Sequence, residues 1–302
     1  MDDSSPDIAV MMLLYNGAEH LRQSLDTLSQ QTYKNFHLFI IDDASSDESF
    51  DIAKEYEAAF SNITLKKNTA NKGVINNLYD TLKLIEVESP SANYFIWACP
   101  DDWWDPQYLE VTRHALIQNP QASVCQTGFD KQNLTANYEE RHQLPSIKGN
   151  VYGDVRPIFY PHATEGKNGF YNQSIHGLIR MDVLRDIYPN NAALIGHASC
   201  TELSAVAVLF LRGDIIYLEG VKFHKHIGSA FINKYPNDPL TRLYNNPLLR
   251  IKACLSHLPR FIKIRRKNIS IVTALLIWGH IFYFYSVLTP LYSLKKQLRI
   301  GA

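Results

Sequence analysis

With 302 residues, 46% of them apolar, the chain is long enough to bury a sizeable core as one large domain or two small ones. Thirty basic and thirty acidic residues cancel, so there is no overall electrostatic pull toward nucleic acid. Cysteines 99, 125, 200 and 254 are scattered without a CxxC pair, which argues against a disulfide scaffold or a zinc module. The acidic, polar start Met-Asp-Asp-Ser-Ser-Pro is the opposite of a secretory signal peptide. Reduced cysteines in a cytosolic setting are the simplest expectation.

The first half alternates strand and helix patterns. Residues 8–14 are a continuous apolar run, as expected of a strand covered on both faces. Tyr15-Asn16-Gly17 ends it, and Leu21, Leu25 and Leu28 then recur at helical spacing. Residues 36–41 predict a second buried strand, closing on Asp42-Asp43. Ser45 with Glu48 reads as a capping box for a helix bearing Phe50, Ala53 and Phe60. A short strand at 63–66 precedes Asn71-Lys72-Gly73 and a helix with Ile75, Leu78, Leu82 and Ile85 inward. Residues 94–98 predict the fourth strand, stopping at Asp101 and Asp102. Asp105 before Pro106 reads as the N-cap of a helix to about residue 119, and a fifth strand is expected at 122–126. With both caps accounted for, the pairs Asp42-Asp43 and Asp101-Asp102 are left over. Unpaired carboxylates at the end of a buried strand raise each other's proton affinity, which suits a cation between them and an anionic ligand.

This alternation predicts an α/β fold with a mostly parallel sheet and right-handed crossovers. Ligands of such sheets bind beyond the carboxyl ends of the strands. Tyr15, Asn16, Asp42, Asp43, Asn71, Lys72, Gly73, Asp101 and Asp102 should therefore converge there. Carboxylates, amides and a lysine suit a nucleotide, with a metal to neutralise its diphosphate. Neither GxGxxG nor GxxxxGK[ST] is present, so a dinucleotide fold and a P-loop are unsupported.

The second half is less regular. Residues 130–170 are polar and proline-bearing, as loops over an acceptor would be, and His162 lies there. His162 and the nearby His176 read most simply as structural or solvated. Ser199 and Glu202 precede an apolar helix at 203–211 that closes at Gly213. Glu202 has two readings that do not exclude each other: the far end of a capping box, or a general base. After a strand at 215–218 comes His224-Lys225-His226, where a spacing of two puts both histidines on one face of an extended segment. Metal ligation and simple solvation both fit that pattern. Near the end, Arg260, Lys263, Arg265, Arg266 and Lys267 precede residues 269–288, which carry no Asp, Glu, Lys or Arg; Lys295, Lys296 and Arg299 follow. The length just allows a span. However, Thr273, Gly279, His280, Ser286 and two basic flanks favour helices lying in the cytoplasmic leaflet of a membrane. The alternative is a helix pair packed on the catalytic domain.

The stretches Leu13-Leu-Tyr-Asn-Gly, Leu28-Ser-Gln-Gln-Thr-Tyr33, Ile41-Asp-Asp-Ala-Ser-Ser-Asp47, Asn71-Lys-Gly73 and Pro100-Asp-Asp-Trp-Trp-Asp-Pro106 together resemble family 2 glycosyltransferases of the GT-A fold. Order and spacing agree over residues 1–130. The resemblance implies that Asp42 meets the base or ribose of a nucleotide sugar, most simply a UDP-sugar. The family's fourth-strand motif, usually Asp-x-Asp-Asp, carries a divalent metal, here Mn²⁺ or Mg²⁺. Asp101 matches its metal-bearing Asp, Asp102 follows, and Cys99 stands where the first Asp is usual. His226 corresponds to a histidine that joins the metal site in many such enzymes, and Glu202 to the family's catalytic acidic position. Residues 175–184 resemble a segment beneath the acceptor site.

Three parts are thus expected: a nucleotide-sugar half at 1–130, an acceptor and base half at 131–235, and a membrane-associating helical segment at 236–302. The resemblance and the basic, apolar tail imply an inverting transfer to a saccharide or polyprenyl-linked acceptor in surface polysaccharide assembly (O-antigen or capsule), at the cytoplasmic side of the plasma membrane. No Gln-x-x-Arg-Trp motif points to a processive synthase. A nucleotidyltransferase of similar fold and a catalytically silent nucleotide-sugar-binding membrane scaffold are the rival readings.

Overall fold

The computed structural model describes residues 5–133, 138–143, 146–148, 171–188, 201–226, 255, 258–259, 262–263, 265 and 270–283. Its strands are β1 (Ile8–Leu14), β2 (Phe36–Asp42), β3 (Ile63–Lys67), β4 (Tyr94–Ala98), β5 (Asp102–Trp104), β6 (Ala122–Asn133), β7 (Tyr138–His142), β8 (Leu178–Arg180) and β9 (Asp214–His226). The helices are α1 (Ala18–Ser29), α2 (Ser49–Ala59), α3 (Val74–Glu88), α4 (Tyr108–Gln118), α5 (Met181–Ile187), α6 (Thr201–Arg212) and α7 (Ile271–Tyr283), with a 3-10 turn at Tyr171–His176. The nine strands among the described residues join one sheet in the order β3-β2-β1-β4-β8-β6-β9-β5, with β7 on β6.

The first half follows its hydrophobic pattern closely. β1 and β4 have the bounds that their apolar runs predict, and β1, β2, β3 and β4 pair in parallel. Residues 8–12 of β1 are fully buried, because helices cover both faces of a parallel sheet. Leu21, Leu25 and Leu28 of α1 and Leu78, Leu82 and Ile85 of α3 are the buried stripes.

The second half corrects the expectation of a mostly parallel sheet. Three-residue β8 runs antiparallel between β4 and β6, and β5 runs antiparallel to β9. Only β6 and β9 are parallel there, so the sheet is mixed. β9 is also far longer than the strand expected at 215–218, reaching His226. Close approaches fix glycines at two joints. A Cβ at Gly177 would lie 2.7 Å from the Cys125 carbonyl oxygen, and one at Gly213 would lie 2.5 Å from that of Gln121. Helix α6, whose residues 205–211 are all buried, sits beneath this half.

Two helix starts differ from their sequence signatures. α2 begins at Ser49 with no side-chain cap at Glu48, and the Ser45 hydroxyl instead accepts the Asn16 backbone N–H at 3.0 Å. α4 begins at Tyr108, and the Asp105 carboxylate accepts the Lys222 N–H at 2.9 Å rather than capping. Both supposed caps serve neighbouring elements, as side chains do when a tertiary donor stands closer than the helix end. The Ser199 box lies outside the described residues, as does His162.

Candidate active site

The carboxyl ends of β1, β2 and β3 are stitched together by side chains bonding to turns. Asn16, with φ 49°, accepts the Ser46 N–H on Oδ1 at 2.9 Å, while Gly17 N–H donates to Ser49 Oγ at 2.8 Å. Asp43, 4% exposed, accepts the backbone N–H groups of Lys72 at 2.8 Å and Gly73 at 2.9 Å, and the Asn68 amide at 2.9 Å. Asp43 thus frames the Asn71-Lys72-Gly73 loop, where Gly73 takes φ 78°, open to glycine at no steric cost. The Asn71 Oδ1 accepts the Gly73 N–H at 3.0 Å, and the Lys72 ammonium turns outward to Asp80 at 2.9 Å.

Asp42 is different. It is 0% exposed, and its Oδ2 accepts the Ser45 N–H at 3.1 Å and faces Lys67 Nζ at 3.9 Å. Its Oδ1 is buried and meets no hydrogen-bond donor among the described residues. The Lys67 ammonium also rests 4.3 Å from the centre of the Phe50 ring, a cation–π contact. Tyr15 sits half-buried at the end of β1.

The turn after β4 lies beside this cluster, with Pro100 and Gly17 in near contact. It separates the two acidic residues that the sequence presents as an equivalent, unpaired couple. Asp102 is 0% exposed and paired: Oδ2 lies 3.3 Å from Lys225 Nζ, and Oδ1 accepts the His226 N–H at 3.3 Å. Burial raises its pKa to about 6, with Lys225 pulling the other way. Burial pulls Lys225 down, yet Asp102, Cys99 and Asp101 together hold it above the usual lysine range. Asp101 stays partly exposed at the turn.

His226 caps the same corner. Its ring lies 4.2 Å from that of His20, its Nδ1 is buried without a hydrogen-bond partner among the described residues, and burial followed by His20 lowers its pKa while Asp101 opposes them. His224, the other member of the pair, belongs elsewhere. It stacks on Trp103 at 5.6 Å and its Nε2 lies 3.0 Å from Asp105 Oδ1.

Beneath the turn, ligand-type atoms of Cys99, Asp102 and His176 lie within 4.8 Å of one another. Burial holds the Cys99 thiol well above its usual range, and burial with the Lys225 ammonium lowers His176 to about 3. The Lys225 ammonium stands beside this trio, 3.3 Å from Asp102 Oδ2. Lys225, Lys67, Asn68 and His20 are the site neighbours that the sequence reading missed. Lys225 alone carried a signal, standing between two flagged histidines. Glu202 begins the first turn of α6, whose helix starts at Thr201.

A model of glycosyl transferase family 2 matches residues 9–188. Over 128 residues the chain is 32% identical to the putative glycosyltransferase EpsE of Bacillus subtilis, covering 42% of this chain and 44% of that protein. Over 235 residues it is 24% identical to the putative glycosyltransferase EpsH of the same organism, covering 76% and 64%. The matched stretches thus span less than two thirds of either relative. Among solved structures, S. aureus TarS 1-349 in complex with UDP-GlcNAc is similar, with a TM-score of 0.64 at 13% identity over 92% of this chain and 72% of that one. The mannosyltransferase PcManGT from Pyrobaculum calidifontis, in complex with GDP-Man and Mn²⁺, gives 0.52 at 12% identity over 99% and 76%. At these identities the likeness is one of fold.

Proposed function

The chain belongs to glycosyl transferase family 2, and we propose that it moves a sugar from a UDP-sugar to a saccharide or polyprenyl-linked acceptor, with inversion at the anomeric carbon. The pathway in this reading is surface polysaccharide assembly. The observation that carries it is the buried Asp42 Oδ1 at the end of β2, without a hydrogen-bond donor among the described residues. An unsatisfied buried acceptor costs about 1–3 kcal/mol, and a nucleobase imino N–H or a ribose hydroxyl answers it. Tyr15, Asn16, Asn71, Lys72 and Gly73 surround the donor in this reading, with Asp43 holding the loop in place.

The corner after β4 fits a divalent cation. Asp101 offers a partly exposed hard oxygen that suits Mn²⁺ or Mg²⁺, and His226 a buried Nδ1 without a hydrogen-bond partner among the described residues, a nitrogen that favours Mn²⁺ over Mg²⁺. Asp101 and His226 would hold the ion, which supplies charge neutralisation for the departing nucleoside diphosphate. Asp102 acts through its neighbours: it fixes the His226 backbone and keeps Lys225 beneath the turn. Glu202 takes the proton of the acceptor hydroxyl, a role worth about 10²- to 10⁴-fold in rate.

The test is a panel of nucleotide sugars in thermal shift, with and without Mn²⁺, followed by measurement of slow nucleoside diphosphate release. A UDP-sugar that stabilises the protein and is slowly hydrolysed supports the reading. Pyrophosphate release from a nucleoside triphosphate points to a nucleotidyltransferase, and binding without any turnover points to a silent scaffold.

A further inference from the structure

The neutral charge of the whole chain hides a strong asymmetry. Residues 239–302 hold eleven Lys and Arg and no Asp or Glu, so residues 1–238 carry a net charge of −11. Within this basic stretch, α7 has two unlike faces. Ala274 and Ile277 are fully buried in the main core, where α7 meets α6. Ile271, Val272, Leu275 and Leu276 are 47%, 63%, 40% and 44% exposed. Their spacing puts them together on the opposite side of the helix. Lys263 is exposed just upstream. The helix is therefore anchored inward, apolar outward, and free of charged residues along its length.

We propose that α7 docks this outer face into the surface of an anionic bilayer, with the flanking Lys and Arg meeting lipid phosphates. The described part of α7 is thirteen residues, about 20 Å at about 1.5 Å each. Among the described residues no helix is long and apolar enough to cross a membrane. A helix held along one side by the core lies flat in the interface. The partner is chosen by the combination of features. A second copy of the chain would bring the same basic stretch against itself, which like charge opposes. A nucleic acid would satisfy the charge but gain nothing from an aliphatic face, since base binding relies on stacking and hydrogen bonding. A bilayer satisfies both, because acyl chains take the aliphatic side chains and headgroups take the cations.

The experiment is flotation of the full chain with vesicles of phosphatidylcholine alone and of phosphatidylcholine mixed with phosphatidylglycerol, at low and high salt. Deletion of α7 is unsuitable, because Ala274 and Ile277 are core residues. The double variant Val272→Ser, Leu276→Ser changes only exposed positions. The parent is expected to float with the phosphatidylglycerol vesicles and to be released partly by salt. The double variant should lose about tenfold or more in vesicle partition, with unchanged thermal midpoint and nucleotide binding. Equal flotation with both vesicle types, a double variant that partitions like the parent, or no flotation at all overturns the proposal. So does a dimer that the double variant dissociates in the absence of lipid, or binding to RNA in place of vesicles.

Discussion

Replacing Lys225 by Met tests the organisation of the β4 corner, because it keeps the aliphatic stem and removes the ammonium paired with buried Asp102. In the parent, the folded pKa of Asp102 is about 6, above the unfolded carboxylate value of about 3.9. Such a group contributes its full stability below about pH 4 and loses it as pH rises through 6. Without Lys225, the main opposition to burial is gone and the folded pKa of Asp102 moves higher. The loss of stability then continues past pH 6, where the parent has levelled off. The gap between parent and variant should be small near pH 5 and widen by about 1.4 kcal/mol per pH unit above 6, reaching about 3 kcal/mol near pH 8. That agrees with the lower end of the ~3–5 kcal/mol lost when one partner of a buried ion pair is removed. Urea unfolding across this range, followed by tryptophan fluorescence from buried Trp104, measures the gap. A gap that stays constant with pH would show that Asp102 is not the carboxylate left without its partner, and the reasoning would fail.

The other substitutions address the donor, the metal and the base. Asp42→Ala should weaken UDP binding by about 10- to 100-fold even without metal, because a buried acceptor to the ligand is lost; unchanged affinity in calorimetry counts against the convergence of the strand ends. Asp101→Asn should abolish the Mn²⁺-dependent part of nucleotide binding and leave the melting temperature of the free protein near the parent value, since the residue lies at a partly exposed turn. Equal metal-dependent affinity in parent and variant would remove Asp101 from the ligand set. Glu202→Gln should lower turnover by about two orders of magnitude or more with donor affinity nearly unchanged. Near-normal turnover would leave Glu202 a helix-end residue and send the search for the base elsewhere.

How much of this was legible depended on whether the determining contact was local. β1 and β4 were readable to the residue, since a strand buried on both faces writes itself as an unbroken apolar run. β5 was not, because Asp102 opens it and an acidic pair reads as a turn; its strand character comes from β9, more than a hundred residues away. The caps expected at Ser45 and Asp105 failed for the same reason. Ser45 and Asp105 have suitable chemistry, but Asn16 and Lys222 reach them first. The candidate residues at the ends of β1 and β2 stand out as polar residues left over after strand and helix are assigned. The difference between Asp101 and Asp102 was not, because it rests on Lys225, 123 positions along the chain.

The clamp made by Asp43 also bears on how this loop can change over generations. Asp43 grips the main-chain N–H groups of Lys72 and Gly73, so the path of the loop is independent of which side chain stands at 72. For the fold, exchange there sacrifices an exposed ion pair with Asp80, worth at most about 1 kcal/mol. Exchange at 43 dismantles three hydrogen bonds at once. Position 72 can therefore change without moving the loop, retuning what it presents to the donor, while position 43 is held by geometry.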